Sequence, residues 1–329
     1  MRLKAKSHDQ GRNAVRSSLF LLASLIVGAG SNSAMAIETS TALTPKVNDS
    51  DFALEPANYG SQKDIREIEG LLKDIENKWN NHELEPVMDF YADDYVNNDG
   101  LTKKAVKELT KDFWKTYPDA RSSSKTRNIR VEGKFATVES RDKAVGSTAK
   151  VMPSIGSKGV LISISEGQLY LKKVRGSWKI IGDRVDYEKV KVAFGIAQDL
   201  KTKFIAPELV KSGQEYSAKI TVALPNELVA VGSISSEPLR YPQPAHKDIW
   251  RPVENKVLER IIHANKSNHN ELLMATIGIT DKSRTSLKGL TYLTRRMNVV
   301  PRQPQTDDIQ ESQEVHESQE ENDSENEDE

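Results

Sequence analysis

The chain has 329 residues, a formal net charge of −1 and no cysteine. Without cysteine it has no disulfide, no thiol for lipid attachment and no cysteine nucleophile, which excludes the chemistry of cysteine enzymes. A packed core must hold the chain together, and ~290 residues beyond a leader are enough for two modest domains.

Residues 1–36 have the pattern of a signal peptide. Five Lys or Arg precede an uncharged apolar run from Ser18 to Gly28, which is too short to span a bilayer that needs ~20 residues. The small residues Ala34 and Ala36 then form a cleavage site. We expect export to the periplasm or the exterior, with no transmembrane segment after cleavage; the alternative is an uncleaved anchor.

Three helices are predicted after a spacer. Residues 37–60 lack periodicity and are predicted to be disordered. Apolar residues three and four apart then predict an amphipathic helix over 61–79, a shorter helix over 84–91 and a third helix from Thr102 to Tyr117, which Pro118 ends.

Alternating residues predict strands after the helices. The predicted strands cover 128–134, 135–145, 160–174 and 177–187, with tight turns at 132–134 and 175–177. Residues 146–159 are predicted to be a long loop, with a lid over a pocket as the functional alternative. Helices followed by strands indicate the α+β class.

Residues 61–190 resemble the nuclear-transport-factor-2-like or SnoaL-like domains. The resemblance rests on these residues: Trp79, His82 to Leu84, the string FYADDY from Phe90 to Tyr95, Asp99-Gly100, and GSWKI from Gly176 to Ile180. It implies a cone, in which a curved antiparallel sheet wraps around helices. Members include enzymes, binding modules and domains attached to cell-wall L,D-transpeptidases, and this copy is most similar to the last kind.

The resemblance to the ketosteroid isomerases of this superfamily leaves no complete catalytic set. Asp99 follows Tyr91 by eight residues, as their general-base aspartate follows the same string. The position of their oxyanion-donating tyrosine is occupied by Ile75, which cannot donate a hydrogen bond to an enolate. We therefore expect no catalytic residue, with Asp99 as a weak candidate that otherwise forms a turn before the third helix.

Five side chains are candidates for a ligand pocket at the open end of the cone. They are Tyr95, Asp99, Trp114, Tyr170 and Asp183. The aromatic residues would contact a small molecule or partner, and the carboxylates would anchor it. The alternative is that the aromatic residues belong to the core, as we expect for Trp79, Tyr91 and Trp178.

No metal, cofactor or nucleic acid is predicted to bind. His263 and His269 flank a turn but have only Glu271 as a further metal-ligating residue nearby. The chain has no nucleophile elbow, phosphate-binding loop or dinucleotide motif.

A second domain is predicted after a connecting helix over 191–203. Short β-like runs between residues 204 and 302 predict a small β-sandwich, although Val257 to His263 also fits a helix. Residues 303–329 are predicted to be a disordered acidic tail, because Asp307 to Glu329 holds twelve acidic residues and no Lys or Arg. The leader contributes +4 and the tail −12, which leaves +7 on residues 37–306.

These features favour an exported, noncatalytic accessory protein that binds an envelope protein or glycan. One alternative is a small-molecule carrier or isomerase-like enzyme that uses the cone cavity, with Asp99 or Asp183 as polar anchor. Another is a structural module that forms a homodimer through its sheet.

Overall fold

The computed structural model describes residues 60–240 and 248–302. The predicted signal peptide, almost all of the predicted spacer and the predicted acidic tail lie outside the described residues. Among the helices within those two ranges, none has the length and apolarity needed to cross a bilayer.

Three helices open the described chain, as predicted. They are α1 (Gln62–Asn80), α2 (Leu84–Met88) and α3 (Lys103–Thr116). Hydroxyl caps start the two longer helices: Ser61 accepts the amide of Asp64, and Thr102 accepts the amide of Ala105, each at 3.4 Å. The apolar face of α1 is buried along its whole length, through Ile65, Ile68, Leu72, Ile75 and Trp79.

The strands form two sheets. Their bounds are β1 (Arg121–Glu132), β2 (Phe135–Met152), β3 (Ser157–Val174), β4 (Ser177–Gly195), β5 (Thr202–Ile205), β6 (Leu209–Lys211), β7 (Glu215–Val222), β8 (Leu228–Pro238), β9 (Arg251–Pro252), β10 (Val257–His263), β11 (Glu271–Asp281) and β12 (Leu287–Val300). The larger sheet has the order β1-β2-β3-β4-β12-β11-β8-β9, with β6 parallel to β12, and the smaller has the order β10-β7-β5.

Pairing between β4 and β12 joins the two halves of the chain. Gly195 lies opposite Gly289, and the antiparallel register continues to Lys189 opposite Arg295. The predicted α+β fold, with helices against a curved antiparallel sheet, is confirmed. The predicted β-sandwich over residues 204–302 is not confirmed, because β8, β9, β11 and β12 extend the sheet that the N-terminal half begins.

Two predicted connections are strands instead. Over 191–203, where a helix is predicted, β4 continues to Gly195 and a short 3-10 helix (Ile196–Gln198) precedes β5. Over 146–159, where a loop is predicted, β2 and β3 extend toward each other until only residues 153–156 turn. Long-range pairing explains both differences. A segment that hydrogen-bonds to a neighbouring strand adopts strand geometry even where its own residues have only a weak preference for it.

The larger sheet carries a core on each face. On β12, Leu290 and Tyr292 join the core that contains the helices, and Leu293 and Met297 join the core that contains β7. We call the helix-side surface of the sheet the inner face and the other the outer face. The helices therefore cover the inner face, and the smaller sheet packs on the outer face of the C-terminal strands.

Candidate functional site

A buried ion pair connects the turn before α3 to β12. Arg296 of β12 donates from Nη1 and Nη2 to the two carboxylate oxygens of Asp99, both at 2.8 Å. The side chains are 3% and 8% exposed, respectively. Arg296 also donates from Nε to the amide oxygen of Asn298 at 2.9 Å. Both oxygens of Asp99 are thus engaged by a guanidinium, in the strongest geometry that a carboxylate and an arginine form.

A second carboxyl, Asp183 of β4, contacts a tyrosine. The hydroxyl of Tyr95 donates to Asp183 Oδ2, and both residues are 1% exposed. The other oxygen, Oδ1, has no hydrogen bond of ordinary length in the described structure, although the Asn97 side chain acts on this carboxyl and lowers its pKa. Burial raises the pKa of Asp183 to about 7; the Tyr95 hydrogen bond acts in the opposite direction, and the charge of Asp99 adds to the rise.

The segment between α2 and α3 positions these groups. The amide of Ala92 donates to the carbonyl of Ile180 at 2.8 Å, and that of Asn98 donates to the carbonyl of Asp183 at 2.9 Å. The side-chain oxygen of Asn97 accepts the amides of Asp99 and Leu101 at 3.0 and 2.8 Å, so it forms the turn that presents Asp99. The string that carries the family resemblance thus lies alongside β4.

Glu188 is a third buried carboxyl of the site, and sequence reasoning missed it. It is 4% exposed, and its Oε1 has no hydrogen-bond partner among the residues described. Burial raises the pKa of Glu188 to about 8, the charge of Arg296 opposes this rise, and that of Asp99 adds to it. The alternation of buried Val190 and Val192 along β4 is the signal that could have placed Glu188 on the inner face.

The structure brings together only three of the five predicted pocket residues. Tyr95, Asp99 and Asp183 lie in one cluster with Arg296 and Glu188. Trp114 packs within the helical core, where its ring stacks on His82 with centroids 4.7 Å apart. Tyr170 lies between the buried Leu169 and Leu171, so it is on the other face of β3, where its hydroxyl donates to Gln168 at 3.1 Å.

A surface cleft occurs away from this cluster. It has a volume of about 250 Å³ and lies where β1, β2 and β3 meet, lined by Ser123, Ser124, Lys125, Arg141, Asp142, Lys143 and Ile164. None of the five predicted pocket residues lines it. Within residues 60–240 and 248–302, no three metal-ligating side chains converge.

Comparison with known proteins finds similarity only at the level of structure. No protein-family model matches the chain, and no curated protein matches it. Bd1075 of Bdellovibrio bacteriovorus matches with 15% identity, over 39% of this chain and 43% of its own, at a TM-score of 0.31. The chain therefore spans less than half of that protein.

Two further matches cover most of the matched protein. A ketosteroid isomerase-like protein from Erwinia carotovora atroseptica has 14% identity over 37% of this chain and 95% of its own, with a TM-score of 0.31. The LinA-type3 hexachlorocyclohexane dehydrochlorinase from Novosphingobium barchaimii has 14% identity over 38% of this chain and 88% of its own, with a TM-score of 0.29. These proteins have the nuclear-transport-factor-2-like fold that residues 61–190 resemble. At these identities and TM-scores, their activities are not transferred to this chain.

The expectation of a noncatalytic envelope-binding protein is corrected by these findings. The structural neighbours include a dehydrochlorinase and an isomerase-like protein. That expectation rests on the export signal, on two folds that commonly bind partners and on an incomplete catalytic set, in which Ile75 occupies the position of the oxyanion donor. In the structure, Arg296 donates to Asp99 and Tyr95 donates to Asp183.

Proposed function

We propose that the protein is an isomerase-like acid–base enzyme that moves a proton within a small organic substrate at the inner face of the sheet. The observation that supports this is the buried Asp183 carboxyl, which contacts the Tyr95 hydroxyl beside the Asp99–Arg296 pair. Buried carboxyls with raised pKa values beside a specific charge partner are typical of catalytic groups.

Asp183 is the group that takes and returns the proton. With a pKa of about 7 it is divided between its two forms at neutral pH, which suits a group that must do both. Tyr95 holds Oδ2, which leaves Oδ1 to accept a proton from a carbon next to a carbonyl. The electron pair of that C–H bond forms a carbon–carbon double bond, and the π pair of the carbonyl moves to its oxygen, which gives an enolate. The same proton returns to another carbon, so the product is an isomer of the substrate.

Glu188 is the donor for the enolate oxygen. Its pKa of about 8 keeps it protonated at neutral pH, so its O–H can donate to an oxygen that gains charge. This role replaces the tyrosine whose position Ile75 occupies. Asp99 and Arg296 act as positioning residues, since the charges of both reach the two titrating carboxyls.

The proposal places this activity outside the cytoplasm, because residues 1–36 have the leader pattern. N-terminal sequencing of the protein from cells tests it, with cleavage after Ala36 as the expected result. A homodimer through the sheet stays a prediction, which light scattering on the purified protein would check.

The test of catalysis is conversion of cyclohex-3-enone, a β,γ-unsaturated ketone, to its conjugated isomer in D₂O near pD 7. We expect the full chain to accelerate conversion with little deuterium in the product, followed by proton NMR, and Asp183→Asn to lower the rate by ~10²-fold or more. Glu166→Gln is the matched control, because Glu166 pairs with Arg127 at 2.8 Å outside the cluster. Equal rates for wild type and Asp183→Asn would contradict the assignment.

A further inference from the structure

A row of polar residues crosses the inner face of four strands. Ser124 of β1 lies opposite Asp142 of β2, Asp142 opposite Ser165 of β3, and Ser165 opposite Glu188 of β4. Directly paired residues are on the same face of a sheet, with Cβ atoms about 5 Å apart. These four residues therefore form one stripe, which we call the polar belt, and it ends at the candidate catalytic donor.

The polar belt is buried and incompletely hydrogen-bonded. Asp142 and Ser165 are 2% and 1% exposed. In the described part of the chain, Asp142 Oδ1 has no hydrogen bond of ordinary length, although the Ser124 hydroxyl acts on this carboxyl. Ser165 Oγ has no partner there, and neither has the Oγ of Ser163, one position along the same face of β3. Buried polar atoms in folded proteins are almost always paired. A molecule with hydrogen-bond donors is therefore expected between these side chains.

The charges around Asp142 favour a cation as that donor. Ser140 donates to its Oδ2 at 3.0 Å, and no described residue forms an ion pair with its carboxyl. Glu76 of α1 faces Asp142 from the helix side and accepts the amide of Ser124 at 3.0 Å. Burial raises the pKa of both carboxyls. At Asp142 the hydrogen bonds of Ser124 and Ser140 and the charge of Arg127 oppose this rise and the charge of Glu76 adds to it, so a bound cation would replace the proton that Asp142 otherwise keeps. The guanidinium of the cluster, that of Arg296, is already matched by Asp99.

The spacing of the polar belt sets the size of the molecule. Neighbouring strands lie about 4.8 Å apart, so Asp142 and Glu188 are on backbones separated by about 10 Å, with the Ser165 hydroxyl between them. A substrate of a few carbon atoms can therefore reach from Asp142 to the groups on β4.

We infer that Asp142, with the Ser163 and Ser165 hydroxyls, binds the ammonium group of the substrate and so makes the enzyme specific for amino-carbonyl compounds. The inference rests on the proposed function, because it places this ammonium on the substrate whose proton Asp183 moves. Asp142 is a specificity residue in this scheme, and it takes no part in the proton transfer.

Calorimetric titration of the full chain at pH 7 tests the subsite without turnover, with cyclohexylammonium and its neutral analogue cyclohexanol as probes. We expect wild type to bind the ammonium at least tenfold more tightly than the alcohol. Asp142→Asn should remove this preference while changing the alcohol affinity less than twofold. Glu85→Gln, at an exposed ion pair with Lys107 on the helices, should keep it. Undetectable ammonium binding, equal affinities in wild type, or a preference kept by Asp142→Asn would overturn the inference.

Two further variants are needed. One tests the ammonium subsite if Asp142→Asn does not fold, and the other separates ammonium binding from catalysis. If circular dichroism shows Asp142→Asn to be unfolded, Ser165→Ala decides: it should reduce the ammonium preference about fivefold, the worth of one hydrogen bond, and an unchanged preference overturns the inference. Asp183→Asn should keep the preference while losing isomerase activity. Loss of the preference in Asp142→Asn with normal activity in Asp183→Asn would retain the subsite and reject the proposed function.

Discussion

Arg296 holds both carboxylate oxygens of Asp99 at 2.8 Å across 197 positions of sequence. The arginine comes from β12 and the aspartate from the turn before α3. The C-terminal strands therefore contribute a side chain to the interior that the N-terminal helices enclose. Without β12 the three acidic residues of the site, Asp99, Asp183 and Glu188, would face one another with no cation among them.

We expect Arg296→Met to lower the free energy of unfolding by about 3–5 kcal/mol, because it leaves the buried Asp99 carboxylate without its partner. Adding Asp99→Asn should restore most of the loss. Urea denaturation measures both. Arg184→Met is the control, since its partner Asp186 is about half exposed and such pairs contribute about 1 kcal/mol or less. Equal losses for the two arginine variants would contradict the buried role of Arg296.

Stability should decrease as pH rises toward neutrality. The folded-state pKa values of Asp183 and Glu188, about 7 and about 8, lie above those of the unfolded chain. The folded protein then binds more protons, so this contribution is complete below pH ~4 and is lost as pH rises through 7 to 8. Denaturation at pH 5 and pH 8 should show Asp183→Asn to be less pH-dependent than wild type. A wild-type stability that rises over this range would contradict these pKa values.

Replacing Tyr95 with Phe should move the titration of Asp183 to higher pH. The hydroxyl lowers the pKa of this carboxyl by bonding to its charged form, so its loss should raise the pKa above about 7. Carboxyl carbon-13 NMR of labelled protein would measure the shift. Tyr170→Phe is the matched control, because that hydroxyl bonds to Gln168 on the other face of β3. A titration unchanged in Tyr95→Phe would exclude the hydrogen bond in solution.

The seam between β4 and β12 should be sensitive to added volume. A Cβ at Gly289 would lie 2.8 Å from the backbone nitrogen of Ala197, in the 3-10 helix that follows β4, so we expect Gly289→Ala to cost about 1–3 kcal/mol of unfolding free energy. Gly70→Ala is the opposite case, with open space beside a residue in α1, and should stabilise by about 0.5–1 kcal/mol. Thermal unfolding compares the two, and a neutral Gly289→Ala would contradict the tight seam.

Local patterns were sufficient to predict the helices and the face that α1 buries. The spacing of Ile65, Ile68 and Leu72 and the caps at Ser61 and Thr102 are properties of neighbouring residues. The alternation along the strands likewise indicated a sheet after the helices. These signals determine elements but not which strands become neighbours.

The chemistry of the site depended on that missing information. Glu188 belongs to a strand recognised only in part, and Arg296 to a segment assigned to another domain. Arg295, the neighbour of Arg296, lies opposite Lys189. This register comes from the pairing of β12 with β4, two strands that are about a hundred residues apart in the sequence. Asp99 and Tyr95 could be named because they lie in the string that carries the family resemblance, but their partners could not.

The continuous hydrogen-bonded ladder from β4 to β12 has a practical meaning for expression. Ending the recombinant chain near residue 195 would expose the open backbone of residues 189–195 to other molecules, and such fragments are prone to aggregate. Two separately produced pieces, cut within 199–201, would instead present matching edges. Their reassembly on mixing would make this ladder a natural place to split the protein into a complementing pair.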